Sequence, residues 1–386
     1  MVVLALMLLM LVTGCRSEDP APPLPTFSAS LNRVLSIGEG TDLEREYIFG
    51  HATAVQTDSK GVIYVADIPS FEIRAYDRQG NFLRKMGSLG RAPGEFKHFT
   101  GLYINHDDEI IIGDHQNRRI TKFSTEGELL DTYTLDFDLL MYPRWIGELN
   151  RGEYVVATIP PGTRPDHDYI FHTFTSDFQE KLSAFGPADY YGDRSDYAID
   201  FLSGTEVGSV LASPNKILYA PRFYQGKIYV FERHQDTWKM ARTLQGYVNQ
   251  TKAITTINDL DIRRGDYSAG LSRSSGKRLT VVFENESVGL WRLNDGKLAH
   301  FTVIRSGKDR VFGVELFDAE GNRLGYAELE TIAGTGPYNV GYVTKRLHWK
   351  DQEDVFYFVE LDLDKGSFHV AGYALEYELA SYAHPQ

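Results

Sequence analysis

From residue 52 to 87 the chain runs through four short apolar stretches, ATAVQT (52–57), VIYVAD (62–67), EIRAYD (72–77) and NFLRKMG (81–87). Between them lie DSKG, IPSF and RQG, all turn-like in composition. Such stretches, rich in β-branched and aromatic residues and punctuated by Gly, Pro, Ser and Asp, predict four strands joined by tight turns. The same pattern then returns. Ile63, Asp67, Ile73, Gly80 and Leu83 fall on Ile110, Asp114, Ile120, Gly127 and Leu130 at a constant offset of 47 residues, without a gap. A period of roughly 40–50 residues marks a propeller or a solenoid. One four-stranded unit has two apolar faces and must stack on neighbours to bury both.

Weaker copies follow. GEYVVAT (152–158), RLTVVFE (278–284) and DVFYFVELD (354–362) read as second strands of later units, the first with Thr158 where Asp67 stands. In KILYAPRFYQGKIYVFE (216–232), Arg222 replaces that Asp, Ile228 answers Ile73 and Phe231 answers Tyr76. RVFGVELFDAEGNRLGYAEL (310–329) repeats the third strand, turn and fourth strand. The segment from about 51 to 135 resembles NHL repeats, and GDHQNRRITKF (113–123) carries that family's Asp, Asn, Arg, Ile and aromatic residue.

The whole chain is similar to six-bladed propeller lipoproteins of Bacteroidetes-type bacteria. The resemblance implies an all-β, six-bladed β-propeller of four-stranded antiparallel blades; the residues themselves leave seven blades open. A β-sandwich with coincidental repeats is the competing architecture, and the ungapped match argues against it. A ring must close, because an open sheet edge invites aggregation. SASLNRVLSIG (28–38) is left over before the first full unit, so it is expected to form the outer strand of the last blade, beside SFHVAGYALEYEL (367–379).

Twelve unbroken apolar residues open the chain, and VTGC (12–15) ends the run. At helical rise they span about 18 Å, short of the roughly 30 Å of a bilayer core, and fit the apolar region of a signal peptide. The ending resembles the lipobox of bacterial lipoproteins, which would make Cys15 the acylated first residue of the mature chain. No Lys or Arg precedes the run, a departure from the usual signal. RSEDPAPPLPTF (16–27) then reads as an extended Pro-rich tether. The expected organisation is a signal peptide over 1–14, lipidated Cys15 with its tether over 15–26, and one propeller domain over 27–386. The expected location is an outer-membrane anchor; Glu18-Asp19 is similar to surface-export signals of the same bacteria.

Composition narrows the function classes. Aromatics make up 13% of the chain, with 23 Tyr and 22 Phe but four Trp, which suits pleated, half-buried surfaces. A net charge of −13 would repel a phosphate backbone, which excludes nucleic acid as an expected partner. Cys15 is the single cysteine, so disulfides within the chain, cysteine zinc sites and thiol catalysis are closed to it.

In a blade of alternating strands, the loop between second and third strands shares a rim with the connector to the next blade. Long loops on one rim are where binding is expected. That places Arg91, His115, Arg118, Arg164, His167, Tyr190, Tyr191, Arg222 and Tyr224 as candidate binding residues. Cations with aromatics suit an anionic or sugar-like small ligand, or an envelope protein, through forked hydrogen bonds and ring stacking. The bland reading of Asp67, Asp114 and Arg118 or Arg119 is that they tie strands together within a blade. No catalytic residues can be assigned: HExxH and GxSxG motifs are absent from the sequence. No cofactor is expected for a binding module. The alternative is a hydrolase or lyase of the propeller lactonase type, with Ca or Zn held in the central channel by residues from separate blades.

Overall fold

The computed structural model describes residues 27–135, 145–158, 169–187, 207–222, 224–247, 254–257, 268–271, 278–283, 285–306, 309–332, 345–362 and 364–379. Six four-stranded antiparallel sheets follow one another and form the blades of a propeller. Each begins with an inner strand: Ala52–Thr57, Phe99–Ile104, Trp145–Asn150, Gly208–Ser213, Asn285–Arg292 and Lys345–Lys350 for blades 1 to 6.

Closure occurs as the leftover segment requires. Ser28–Ile37 pairs antiparallel with Ser367–Glu378, from Ser28 opposite Glu378 to Ile37 opposite Val370. The first described strand is thus the outermost strand of the last blade, and blade 6 cannot form without both ends of the domain.

Six separate apolar clusters show why the blades need one another. Each spans one seam. Tyr64 and Ile73 meet Leu102 and Ile112 between blades 1 and 2, and Ile111 meets Tyr154 and Phe174 between blades 2 and 3. Phe171 and Phe185 meet Tyr219 and Phe231 between blades 3 and 4, and Tyr224 meets Leu290 and Phe317 between blades 4 and 5. Phe301 and Phe312 meet Phe356 and Phe358 between blades 5 and 6. The sixth cluster joins Val359 and Val370 of blade 6 to Val55 and Val65 of blade 1 and closes the ring. The second strands of blades 1 and 2 are buried on both faces, which is why 63–66 and 110–113 read as unbroken apolar runs before their closing Asp.

Turns add polar clasps across the seams on the rim opposite the blade connectors. Ser59 donates from its backbone N and Oγ to Asp108, at 2.9 and 2.6 Å, and Asn294 N donates to Asp354 at 2.8 Å.

One expected element is corrected. Arg278–Phe283 is the central strand of a separate three-stranded sheet with Ile254–Ile257 and Ser268–Leu271, inserted between blades 4 and 5. A strand paired on both edges carries the same apolar signature in an added sheet as in a blade. The second strand of blade 5 is Leu298–Ser306.

Candidate functional site

Inner strands from all six blades enclose a central cavity of about 480 Å³. Small-molecule pockets commonly fall at about 300–1,000 Å³. Three of the four tryptophans in the chain, Trp145, Trp291 and Trp349, stand on its wall. Trp349 is anchored by its Nε1, which donates to Thr57 Oγ1 at 2.9 Å across the seam to blade 1.

Local sequence explains how the other two indoles lie. Trp145 and Gly147 are two apart on one strand and share a face. A Cβ on Gly147 would meet the far edge of the Trp145 ring, so the indole lies in the notch that glycine leaves. Trp291 stands in the same relation to Gly289. The motifs WIG and GLW therefore each lay a ring along the wall.

Bulges aim further side chains. The register of inner strands shifts at Thr53, Val288 and His348, each of which drops out of the ladder and lines the cavity. A bulge adds one residue to one strand and redirects its side chain. His348 reaches the wall in this way, beside Arg346. His98, at the start of blade 2, completes the upper wall; Asp114 Oδ1 accepts its backbone N–H at 3.1 Å.

This wall brings several titratable groups close together. Burial, then the Arg346 charge, then His51, hold the His348 pKa well below the ordinary imidazole value. Burial and Arg346 also lower His51, with Asp67 opposing. His348 Nε2 and His98 Nδ1 are buried and lack a hydrogen-bond partner among the described residues. Such orphaned groups are uncommon in folded proteins and call for an explanation. Among the described residues of the wall the one carboxylate, Glu148, is engaged by His106 Nδ1 at 2.6 Å. Among the described residues no three His, Cys, Asp or Glu side chains gather as a metal site.

The candidates from the sequence divide into three groups. His115 packs its ring edge-on against the cavity-lining His98, at 6.2 Å between centroids. Arg91 and Arg118 lie exposed on the same rim; the Arg91 carbonyl accepts from Arg119 Nη1 at 2.9 Å. Arg222 and Tyr224 are placed in the seam between blades 4 and 5. Arg222 Nε donates to Glu286 Oε2 at 2.8 Å, and fully buried Tyr224 donates to Glu315 Oε2 at 2.8 Å. Arg164, His167, Tyr190, Tyr191 and Cys15 lie outside the described residues. The bland reading suits Asp67 and Asp114, which accept backbone N–H groups of their own blade's connector from His51 at 2.7 Å and Lys97 at 2.9 Å. Arg119 likewise ties the connector through the carbonyls of Arg91 and Ala92.

Sequence reasoning missed Trp145, Trp291, Trp349, His98, Arg346 and His348. The available signal was scarcity: tryptophan occurs four times in 386 residues, twice beside a glycine two positions away.

This geometry defines a ring-closed, six-bladed β-propeller with an aromatic and basic central cavity. Over residues 49–334 the sequence matches the DUF5128 family, described as a 6-bladed beta-propeller, and the chain belongs to that family. Among solved structures, an exported-type protein of Bacteroides fragilis superposes with a TM-score of 0.55 at 9% identity, covering 91% of this chain and 95% of that one. A DUF4221-family member from Bacteroides vulgatus gives 0.54 at 11% identity, covering 91% and 99%. At such identities the likeness is one of fold. A search of curated proteins finds none that matches in sequence.

Proposed function

We propose that this protein is an exported, lipid-anchored envelope module that binds a small ligand or a partner at the channel mouth and its surrounding rim. The observation that carries the binding part is the cavity wall: indoles seated on glycines, with Arg346 and two orphaned imidazole nitrogens beside them. Polar groups converging in a mostly apolar cavity are the mark of a ligand site. Export and anchoring draw support from the apolar leader that ends at Cys15, and from a like-folded Bacteroides protein described as exported. Eleven extended residues after Cys15 would hold the disc up to about 34 Å from the bilayer surface.

The anchor is tested by metabolic labelling with an alkynyl fatty acid in a Bacteroidetes host, comparing the natural chain with Cys15→Ser. Label on the natural chain alone supports it; a soluble, unlabelled periplasmic protein refutes it. Binding is tested by affinity capture from envelope extracts, with Trp145→Ala as the comparison. Metal-dependent turnover of lactones or esters, lost on a channel substitution, would replace the binding module with a hydrolase or lyase.

A further inference from the structure

The lumen has two unlike sides. In a ring of six, blade 3 faces blade 6, so the Trp145 indole stands across from Arg346 and His348. His98 stands on blade 2, beside the tryptophan. A flat apolar platform thus faces a guanidinium, with imidazole nitrogens that find no partner in the fold.

We propose, building on the binding function above, that the upper lumen takes a ring compound bearing one carboxylate. Its ring lies on Trp145, its carboxylate meets Arg346 and His348, and His98 bonds a polar substituent of the ring. The indole face attracts the polarised C–H groups of a sugar or the face of an arene. The guanidinium fork matches the two carboxylate oxygens, and the bond strengthens away from bulk water.

A phosphate dianion would bring two negative charges beside Glu148, in a chain already at −13, so the single negative charge of a carboxylate is the better match. The same chemistry is met by an acidic sugar or by an aryl carboxylate.

Titration calorimetry on the mature full-length chain separates these cases. The probes are galacturonate against galactose, 4-hydroxybenzoate against 4-hydroxybenzamide, and inorganic phosphate. The expected result is that at least one acid binds tenfold or more tightly than its neutral partner; which acid does so identifies the source. Arg346→Gln should abolish that preference, and Trp145→Ala should weaken the acid about tenfold, both with circular dichroism unchanged at the temperature of the titration.

Equal binding of acid and neutral partner overturns the ligand class while leaving a binding channel. Tightest binding of phosphate overturns it in favour of a dianion site. Acid binding unmoved by either variant places the site elsewhere. Silence from every probe at millimolar concentration overturns the proposal, and envelope capture through Trp145 then decides the broader function by itself.

Discussion

Gly147→Ala is the most direct test of how the lumen is built. A Cβ at this position would lie 2.8 Å from Trp145 Cζ2 and 2.9 Å from Cζ3, with Cη2 nearer still. Carbon atoms in ordinary contact stand about 3.5–4.0 Å apart, so the ring edge must retreat by about 1 Å or more. An indole is rigid, and the strand lies behind it, so retreat leads into the lumen. Backbone conformation is not the obstacle, because Gly147 is absent from the positive-φ glycines. Overpacking of this kind costs about 1–3 kcal/mol. The assay is a double-mutant cycle read by denaturant midpoint: Gly147→Ala, Trp145→Ala and both together. With the indole gone the three atoms nearest the added methyl are removed, so a coupling of at least about 1 kcal/mol is expected. The same swing should weaken any lumen ligand and move the tryptophan emission maximum. If Gly147→Ala costs the same with or without Trp145, the seating of the ring on the glycine is wrong.

Four further outcomes are expected. Glu315→Leu should destabilise by about 3–5 kcal/mol, measured by chemical unfolding, because it strips the acceptor from Tyr224 Oη and from His300 Nδ1, at 2.8 and 2.7 Å. Glu360 feels burial first, which raises its pKa; hydrogen bonds from His369 and Tyr373 and the Lys345 charge outweigh that and hold it at about 2. A depressed carboxyl stabilises above its unfolded value and loses that contribution as pH falls toward about 2, so Glu360→Gln should remove about 2–3 kcal/mol at neutral pH and flatten the acid limb of the unfolding curve. Anion affinity should rise as pH falls below the ordinary imidazole value of about 6.5. His348 faces Arg346 and His51, and His51 faces Arg346 and Asp67; with both imidazoles held neutral, an anion favours their protonated forms, and a pH-independent dissociation constant would contradict this. Deleting 28–37 strips blade 6 of its outer strand, exposes the edge of Ser367–Glu378 and should yield oligomers on size-exclusion chromatography; a monodisperse monomer would argue against closure by this strand.

Repeat spacing made the blades legible because each blade is buried the same way. Ile63–Asp67 and Ile110–Asp114 share a burial environment, so they share a residue pattern. The same cause made Arg278–Phe283 misleading, since pairing on both edges is not unique to a blade. The lumen obeys a different rule. Its residues come one blade at a time, from Thr53 to Trp349, and no window of sequence contains two blades' contributions together. Bulges hide them further: His348 leaves the ladder between Leu347 and Trp349, so strand alternation assigns it to the wrong face. Rim reasoning found His115 but not His98, whose ring it meets, because His98 reads as the end of a connector rather than the start of an inner strand.

Arg222, standing where blades 1 and 2 have Asp, fastens the seam between blades 4 and 5. In blades 1 and 2 the residue ending the second strand is Asp67 or Asp114, and its carboxylate caps backbone N–H groups of the connector leading into its own blade. That arrangement suits a short connector, which can turn its amides inward. Between the outer strand of blade 4 and the inner strand of blade 5 the chain instead passes through an added three-stranded sheet. Blades 4 and 5 must then be fastened by other means. Arg222 reaches across to Glu286, which also accepts from Arg310 Nη1 at 2.7 Å. Tyr224 N donates to Asn285 O, and Ser287 N to Arg222 O, both at 3.0 Å, so the loop of blade 4 is laced to the first residues of blade 5. Below them Ser209, Ser287, His300 and Glu315 form an unbroken buried chain of hydrogen bonds, with links of 2.7, 2.9 and 2.7 Å. Polar bonds have direction where apolar contact does not. A seam interrupted by an insertion needs that direction, because covalent continuity no longer sets how one blade sits on the next.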